Sequence, residues 1–145
     1  MKCKDIMTRN PTTCAATATA QAAALIMSEE DVGVVPVVDE QDRLMGVVTD
    51  RDLCLDVIAG GKNPQEVRIR EVLHADLVTC RPDDDIERCL EQMKSHQIRR
   101  IPITDEDGRC VGIISQGDIA LKVRQAEEVH DTVREISKSG AAHAA

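Results

Sequence analysis

Two stretches decide the fold: GVVPVVD at residues 33–39 and GVVTDRD at residues 46–52. Both recur 66 residues later, as RRIPITD at 99–105 and GIISQGD at 112–118. The match runs without a gap from position 5 to position 57 and keeps apolar, proline, acidic, glycine and hydroxyl positions in one order. A fixed period of this length is the signature of a repeated structural unit. The chain is therefore predicted to contain one unit twice.

The residues before the repeated stretches of each copy have the spacing of a helix. An apolar residue recurs at intervals of three and four positions, which is typical of one buried helix face. In the second copy this face holds Ile86, Cys89, Leu90 and Met93. In the first copy it holds Ala20, Ala23, Ala24 and Met27. The small side chains of the first copy predict a close approach to the neighbouring element.

Two strands rich in valine and isoleucine follow each of these helices. The first copy has Val34–Val38 and Leu44–Val48, and the second has Arg100–Thr104 and Cys110–Ile114. Nearly continuous apolar runs indicate strands buried on both faces. Each leading strand contains a proline that lacks a backbone donor, so we expect these strands at a sheet edge or a bend.

These elements predict an α+β fold of tandem βαββα repeats with small mixed sheets flanked by helices. One copy offers too little core to stand alone, so the repeats are expected to pack about a pseudo-two-fold axis and to enclose two clefts. The predicted boundaries are 1–59 for the first repeat, 60–68 for a linker, 69–138 for the second repeat with an extended last helix, and 139–145 for a frayed tail.

Composition narrows the function classes. The sequence has no Phe, Tyr or Trp and a formal net charge of −8, which argues against base-stacking platforms and polyanion partners. No run reaches the roughly 20 apolar residues of a membrane span, and the N-terminus lacks the apolar stretch of a secretory signal. Phosphate-loop and dinucleotide motifs are missing, as is a spaced nucleophile and base. We expect a cytoplasmic, non-enzymatic protein that contacts neither nucleic acid nor membrane.

A hydroxyl followed three residues later by an acid opens the last helix of each copy. The pairs are Thr49 with Asp52 and Ser115 with Asp118. This spacing is typical of a helix capping box, which is the simpler interpretation. It also suits a ligand, because a helix N-terminus favours phosphate and a nearby carboxylate accepts hydrogen bonds from ribose hydroxyls. The sequence alone leaves both interpretations open.

Six cysteines are present without a C-x-x-C pair or a finger-like histidine spacing. In a reducing compartment they are expected mainly as small core residues. Cys14 and Cys80 fall at equivalent positions of the two copies. They are the candidate pair of an alternative function, a stress protein with a thiol or metal-linked role and no bound nucleotide.

The two repeated stretches, in both copies, resemble the CBS domain, the repeat named after cystathionine β-synthase. The resemblance covers nearly the whole chain. The chain is similar to stand-alone bacterial proteins made of one CBS pair, which is called a Bateman module. It implies no required cofactor but a regulatory adenosyl ligand such as AMP, ADP, ATP, NAD or S-adenosylmethionine. It also implies a homodimer that acts in signal transduction on an unidentified protein target.

The resemblance also implies which residues line the ligand clefts. Asp52 and Asp118 correspond to the ribose-binding acids, and Thr49 and Ser115 to the accompanying hydroxyls. The other implied positions are the adenine-lining segments and the basic residues for phosphate, namely Thr13, Cys14, Thr79, Cys80, Arg99 and Arg100. Independently of the resemblance, the charge of Arg51 beside Asp52 makes it a further candidate for phosphate. Gly33 and Val34 replace the two arginines in the first copy. The two clefts are therefore expected to differ in charge, with phosphate-rich ligands in the cleft that receives the arginines.

Overall fold

The computed structural model describes residues 1–75 and 77–144, with side chains except at 129 and 138–144. In the first half the elements are α1 Cys3–Ile6, β1 Thr8–Arg9, β2 Cys14–Ala15, α2 Ala20–Glu30, β3 Val34–Val38, β4 Leu44–Thr49 and α3 Asp50–Asp52, which continues as a π-helical segment, Leu53–Ile58. In the second half they are a 3₁₀ turn at Ile69–Glu71, α4 Ile86–His96, β5 Arg100–Thr104, β6 Cys110–Ser115 and α5 Gln116–Ala144. The predicted α+β fold and its repeated order are confirmed. The leading strand of the second copy is reduced to one parallel bridge between Cys80 and Ile103.

The helix faces follow the predicted spacing but are narrower. α4 buries Ile86, Cys89 and Met93, while Leu90 stays 40% exposed. α2 begins at Thr19, whose hydroxyl accepts the Ala22 N–H at 3.1 Å, as expected for an N-cap residue. Both helices therefore contact the core through three residues each.

The sheets explain how a proline is accommodated in β3. Its sheet has the order β2-β3-β4, so β3 is central instead of the predicted edge strand. However, β2 pairs only with Val37 and Val38, which leaves Pro36 without a neighbour on that side. β5 lies at the edge of the second sheet, β1-β6-β5. β5 is alike, since its neighbour on that side is only the Cys80 bridge to Ile103. The expectation of an edge or a bend therefore has the same outcome in both strands: a short partner leaves the proline unpaired, and a register shift follows it.

The opening segment of each repeat packs in the hydrophobic core of the other repeat. Cys3 and Ile6 from α1 lie in the core of the second repeat, and β1 pairs with β6. In return, residues 67–73 pack into the core of the first repeat, where Ile69 is fully buried. Each copy therefore completes the core of the other.

This exchange brings contacts across the boundaries predicted from the sequence. The predicted linker 60–68 is not free along its length, because Val67 is buried and its carbonyl accepts the Ala20 N–H at 2.9 Å. The predicted first repeat, 1–59, includes a segment that belongs to the other core. The helix α5 continues to Ala144 through most of the predicted frayed tail, 139–145, and Ala145 lies outside the described residues.

The two repeats meet at equivalent positions. An antiparallel bridge joins Arg43 to Arg109, which are 66 residues apart and therefore equivalent. The Leu44 N–H donates to the Gly108 carbonyl at 2.9 Å beside it. A contact between equivalent residues is what a pseudo-two-fold relation requires. Among the described helices, including the 29-residue α5, none is long and apolar enough to cross a bilayer.

Candidate functional site

Two clefts lie between the repeats, each beside one hydroxyl–acid pair. The Asp52 cleft has a volume of about 770 Å³ and is lined on its polar side by Thr49, Arg51, Asp52, Asp56, His74, His96, Gln97 and Arg100. The Asp118 cleft has about 300 Å³ and is lined on its polar side by Thr8, Thr12, Glu30, Asp31, Arg100, Ser115 and Asp118. Most residues that line one cleft have their repeat equivalent, 66 residues away, in the lining of the other cleft. The clefts are thus two versions of one site, and both volumes suit a small molecule.

Both hydroxyl–acid pairs form complete capping boxes. The Thr49 hydroxyl accepts the Asp52 N–H at 3.1 Å, and the Asp52 carboxylate accepts the Thr49 N–H at 2.8 Å. The Ser115 and Asp118 groups repeat this exchange, both at 3.0 Å. The simpler interpretation of the motif is confirmed, and it coexists with a position on the cleft wall. One carboxylate oxygen in each pair is used for capping, which leaves the other to face the cleft.

We expect Thr49→Ala to lower the free energy of unfolding by about 1 kcal/mol, because it removes the N-cap acceptor. Thr49→Ser should cost much less, since the hydroxyl remains. Urea unfolding followed by far-UV circular dichroism measures both, and no aromatic fluorescence is available in this sequence. An equal loss in the two variants would contradict the capping role.

His74 is the functional residue that sequence reasoning missed. Its Nε2 lies 2.6 Å from Asp52 Oδ1, the carboxylate oxygen that capping leaves open. The Asp52 side chain is 12% exposed and that of His74 is 61% exposed, so the imidazole stands over the carboxylate at the cleft mouth. Backbone bonds between His74 and Val47, at 3.0 and 3.2 Å, fix this position. No local pattern in the sequence indicates this contact, and the equivalence of His74 with Thr8 in the 66-residue offset gains meaning only because Thr8 lines the Asp118 cleft.

The two clefts differ in charge as expected. Arg51 and Arg100 line the Asp52 cleft together with two carboxylates and two histidines. The Arg100 guanidinium itself lies beside Gly33, which lines the Asp118 cleft. In the Asp118 cleft, Arg100 faces three carboxylates, those of Glu30, Asp31 and Asp118. Arg99 lines a smaller adjoining cavity of about 160 Å³ together with Arg100. The arginines therefore do not act as one pair, and the Asp52 cleft is the less negative of the two.

The apolar wall of the Asp52 cleft is made entirely of aliphatic side chains. Val47, Leu55, Leu77, Val78 and Ile98 line it. Leu55 and Leu77 are 50% and 42% exposed, so both present apolar surface to the cleft. Such a wall can hold a flat heterocycle by van der Waals contact without an aromatic ring.

The adenine-lining segments implied by the resemblance need a correction. Cys14 and Cys80 point into the two cores, where they are 7% and 2% exposed. Pro11 and Thr12 line one cleft, and Leu77 and Val78 line the other, which places the lining two residues earlier than Thr13-Cys14 and Thr79-Cys80. The reason is the alternation of side chains along an extended segment, which turns each cysteine inward.

The cysteines do not support the pairing considered from the sequence. Cys14 lies in the first core and Cys80 in the second, so the two thiols belong to separate clusters. Burial alone raises the pKa of Cys14 to about 11, which keeps it a thiol. Within the described residues, no group of three or more His, Cys, Asp or Glu side chains is arranged to hold a metal ion.

Comparison with known proteins identifies the repeat. The family model of the CBS domain matches residues 3–57 and 69–124. The CBS domain-containing protein YhcV of Bacillus subtilis is 38% identical over 134 residues, which covers 92% of this chain and 94% of YhcV. An uncharacterized protein of Methanopyrus kandleri is 35% identical over 116 residues, covering 80% of this chain. The chain spans 57% of the length of that relative.

Two solved structures have the same architecture. The crystal structure of Hypoxic Response Protein I, which has two coordinated zinc ions, is 34% identical with a TM-score of 0.77, covering 83% of this chain and 97% of that one. The CBS domain pair of protein MJ0100, in complex with 5-methylthioadenosine and S-adenosyl-L-methionine, is 25% identical with a TM-score of 0.78, covering 87% of this chain and 98% of that one.

Proposed function

The chain belongs to the CBS-domain family, and from that premise we propose that it is a regulatory module whose Asp52 cleft binds an adenine nucleotide with phosphate. The module acts by binding rather than by catalysis. The observation that carries this proposal is the difference between the clefts. The Asp52 cleft is more than twice as large as the Asp118 cleft and has two arginines against two carboxylates.

The Asp52 cleft has residues suited to the ribose, the phosphate and the adenine of a nucleotide. Asp52 Oδ1 is the acceptor for the ribose hydroxyls, and the His74 imidazole that now contacts it moves aside or donates to the sugar. Arg51 and Arg100 donate to phosphate, which planar guanidinium groups bind with paired hydrogen bonds. The aliphatic wall that includes Leu77 and Ile98 receives the adenine.

The smaller Asp118 cleft suits a different ligand. Three carboxylates against one arginine repel phosphate, and a volume of about 300 Å³ limits the size of the occupant. We propose that this cleft takes an adenosyl compound without phosphate, of the S-adenosylmethionine type. The complex of the MJ0100 domain pair supports that class of ligand for a cleft of this architecture.

A bound nucleotide contacts both repeats, because Asp52 comes from the first and Arg100 from the second. Its affinity therefore depends on how the repeats are placed, and the ligand favours the arrangement that it binds more tightly. We propose that ligand binding is transmitted through a contact with a second copy of the chain or with a target protein. The helix α5 offers such a surface, since Leu121, Val133 and Ile136 are 55%, 56% and 66% exposed on it.

Isothermal titration of the full chain with AMP, ATP, NAD and S-adenosylmethionine tests the proposal. Asp52→Asn is expected to weaken nucleotide binding about 10- to 100-fold, because it removes a charged acceptor for the ribose hydroxyls. The asparagine oxygen can still accept the Thr49 N–H, so the helix cap is preserved. Asp118→Asn is the matched control, since it makes the same change in the other cleft.

The control is expected to leave nucleotide affinity within about twofold of wild type, because Asp118 does not line the Asp52 cleft. If no nucleotide bound below millimolar concentration, or if Asp118→Asn weakened binding as much as Asp52→Asn, the assignment of the Asp52 cleft would be wrong. Mass spectrometry of small molecules that co-purify with the native protein identifies the ligand without a prior choice.

A further inference from the structure

Three thiols meet inside the core of the second repeat. Cys3, Cys80 and Cys89 are 0%, 2% and 0% exposed, and the side chain of each is a hydrogen-bond neighbour of the other two. They come from three different elements: α1, the segment before α4, and α4 itself. We call these three residues the thiol cluster.

The fold itself does not require this cluster. The equivalent positions in the first core are Ile69, Cys14 and Ala23, so only one thiol occupies these positions there. The two cores share their architecture, and the first shows that ordinary apolar side chains fill these places. The chemistry of the thiol cluster is therefore a property of the second core alone.

Cys80 differs from the other two thiols in the direction of its pKa shift. Hydrogen bonding from Cys3 and then from Cys89, with a smaller contribution from the positive charge of Arg88, lowers the pKa of Cys80. The contact with Cys80 raises the pKa of Cys3, and the contacts with Cys3 and Cys80 raise the pKa of Cys89. A thiolate, and not a thiol, attacks peroxides and disulfides, so Cys80 is the residue that reacts first.

Cys3 is carried by the segment that covers Cys80. The Cys3 and Lys4 amides donate to the carbonyls of Asp84 and Pro82, both at 2.9 Å. Two ion pairs at 2.7 Å, Lys2 with Asp85 and Lys4 with Asp83, hold the rest of the segment and are exposed to solvent. Exposed ion pairs contribute little to stability, so this segment can open locally without global unfolding. Opening of this segment gives small oxidants access to Cys80.

We propose that Cys3 and Cys80 are a peroxide-sensitive pair whose disulfide fastens the N-terminal segment to the second repeat. The Cys80 thiolate attacks one oxygen of hydrogen peroxide, which forms a sulfenic acid and releases hydroxide. The released hydroxide deprotonates the Cys3 thiol, and the resulting thiolate attacks the sulfenic sulfur, so that the S–S bond forms as the S–O bond breaks and hydroxide leaves, to be protonated to water. Overall, two thiols lose two electrons and two protons, and one peroxide is reduced to two molecules of water.

The disulfide has a structural consequence beyond the core. The fastened segment continues into β1, and Thr8, Pro11 and Thr12 form one wall of the Asp118 cleft. Oxidation therefore restricts the motion of that wall, while the Asp52 cleft has no residue from this segment. The pair does not depend on the proposed nucleotide site.

Peptide mapping of the full chain tests the pair. The protein is treated with about one equivalent of hydrogen peroxide, the remaining thiols are alkylated after unfolding, and cross-linked peptides are identified by mass spectrometry. We expect the Cys3–Cys80 link as the main product and, in hydrogen exchange, a slowing of about tenfold or more for the Cys3 and Lys4 amides. Cys3→Ala should abolish the link.

Cys14→Ala is the matched control, because it removes the equivalent buried thiol from the first core and should leave the link unchanged. The wild-type map needs no variant, so the test holds even if a core substitution impairs folding. The proposal is overturned if wild-type Cys3 and Cys80 stay alkylatable after oxidation, or if the main link joins Cys80 to Cys89. A link only through the exposed Cys54 overturns it as well.

Discussion

Gly46→Ala is expected to lower the free energy of unfolding by about 3 kcal/mol, although alanine is ordinarily the better residue in a strand. A Cβ at Gly46 would overlap the His74 carbonyl oxygen and would lie 2.7 Å from Leu73 Cδ1. The overlap with a backbone atom cannot be relieved by a rotamer change. It would separate β4 from the His74 segment, which the Val47 hydrogen bonds hold in place.

Gly112 provides a matched control, since it is the equivalent residue of the second copy. Its added Cβ would meet Met7, with Sδ at 2.5 Å and Cγ at 3.0 Å. Methionine is flexible and can adopt another rotamer, so Gly112→Ala should cost about 1 kcal/mol. Urea unfolding followed by far-UV circular dichroism compares the two. Equal losses, or a loss below 1 kcal/mol for Gly46→Ala, would contradict the close backbone contact at His74.

Arg100→Glu is expected to weaken ATP binding about 100-fold or more and adenosine binding less than threefold. The substitution removes a charge-assisted donor and adds a carboxylate to the wall where phosphate is proposed to bind. Adenosine has no phosphate, so it reports on the ribose and adenine contacts alone. Titration calorimetry with both ligands therefore separates a phosphate role of Arg100 from a general effect on the cleft.

Arg99→Glu is the control for charge, because it makes the same change one residue away. Arg99 lines only the small cavity beside the cleft and not the Asp52 cleft itself. We expect this variant to lose less than tenfold in ATP affinity. Equal losses for ATP and adenosine in Arg100→Glu would show that Arg100 does not bind phosphate.

The repeat offset predicted more of the site than any single motif. It paired Thr49 and Asp52 with Ser115 and Asp118, and it predicted clefts of unequal charge. Arg99 and Arg100 are not the source of that inequality, because Arg100 lines both clefts and Arg99 lines neither. What it did not predict was orientation. Cys14 and Cys80 turn inward because side chains alternate along an extended segment, and a two-residue strand is too short to show that alternation in the sequence.

Long-range contacts account for the other differences. The sequence shows neither that α1 packs on the second core nor that His74 reaches Asp52, because both contacts join distant segments. Pro36 was expected at an edge, but the length of β2, and not the order of the sheet, leaves it without a neighbour. Each difference arises where tertiary packing, and not local pattern, decides the outcome.

The exchange of opening segments between the cores makes the two halves a single cooperative unit. If the chain were cut between the repeats and the pieces separated, each piece would lose part of its interior: α1 would leave the second half, and Ile69 would leave the first. A solitary copy could regain a full interior only by trading its opening segment with another copy, as in a swapped dimer. Duplication within one chain makes that trade intramolecular, so the fold no longer depends on protein concentration.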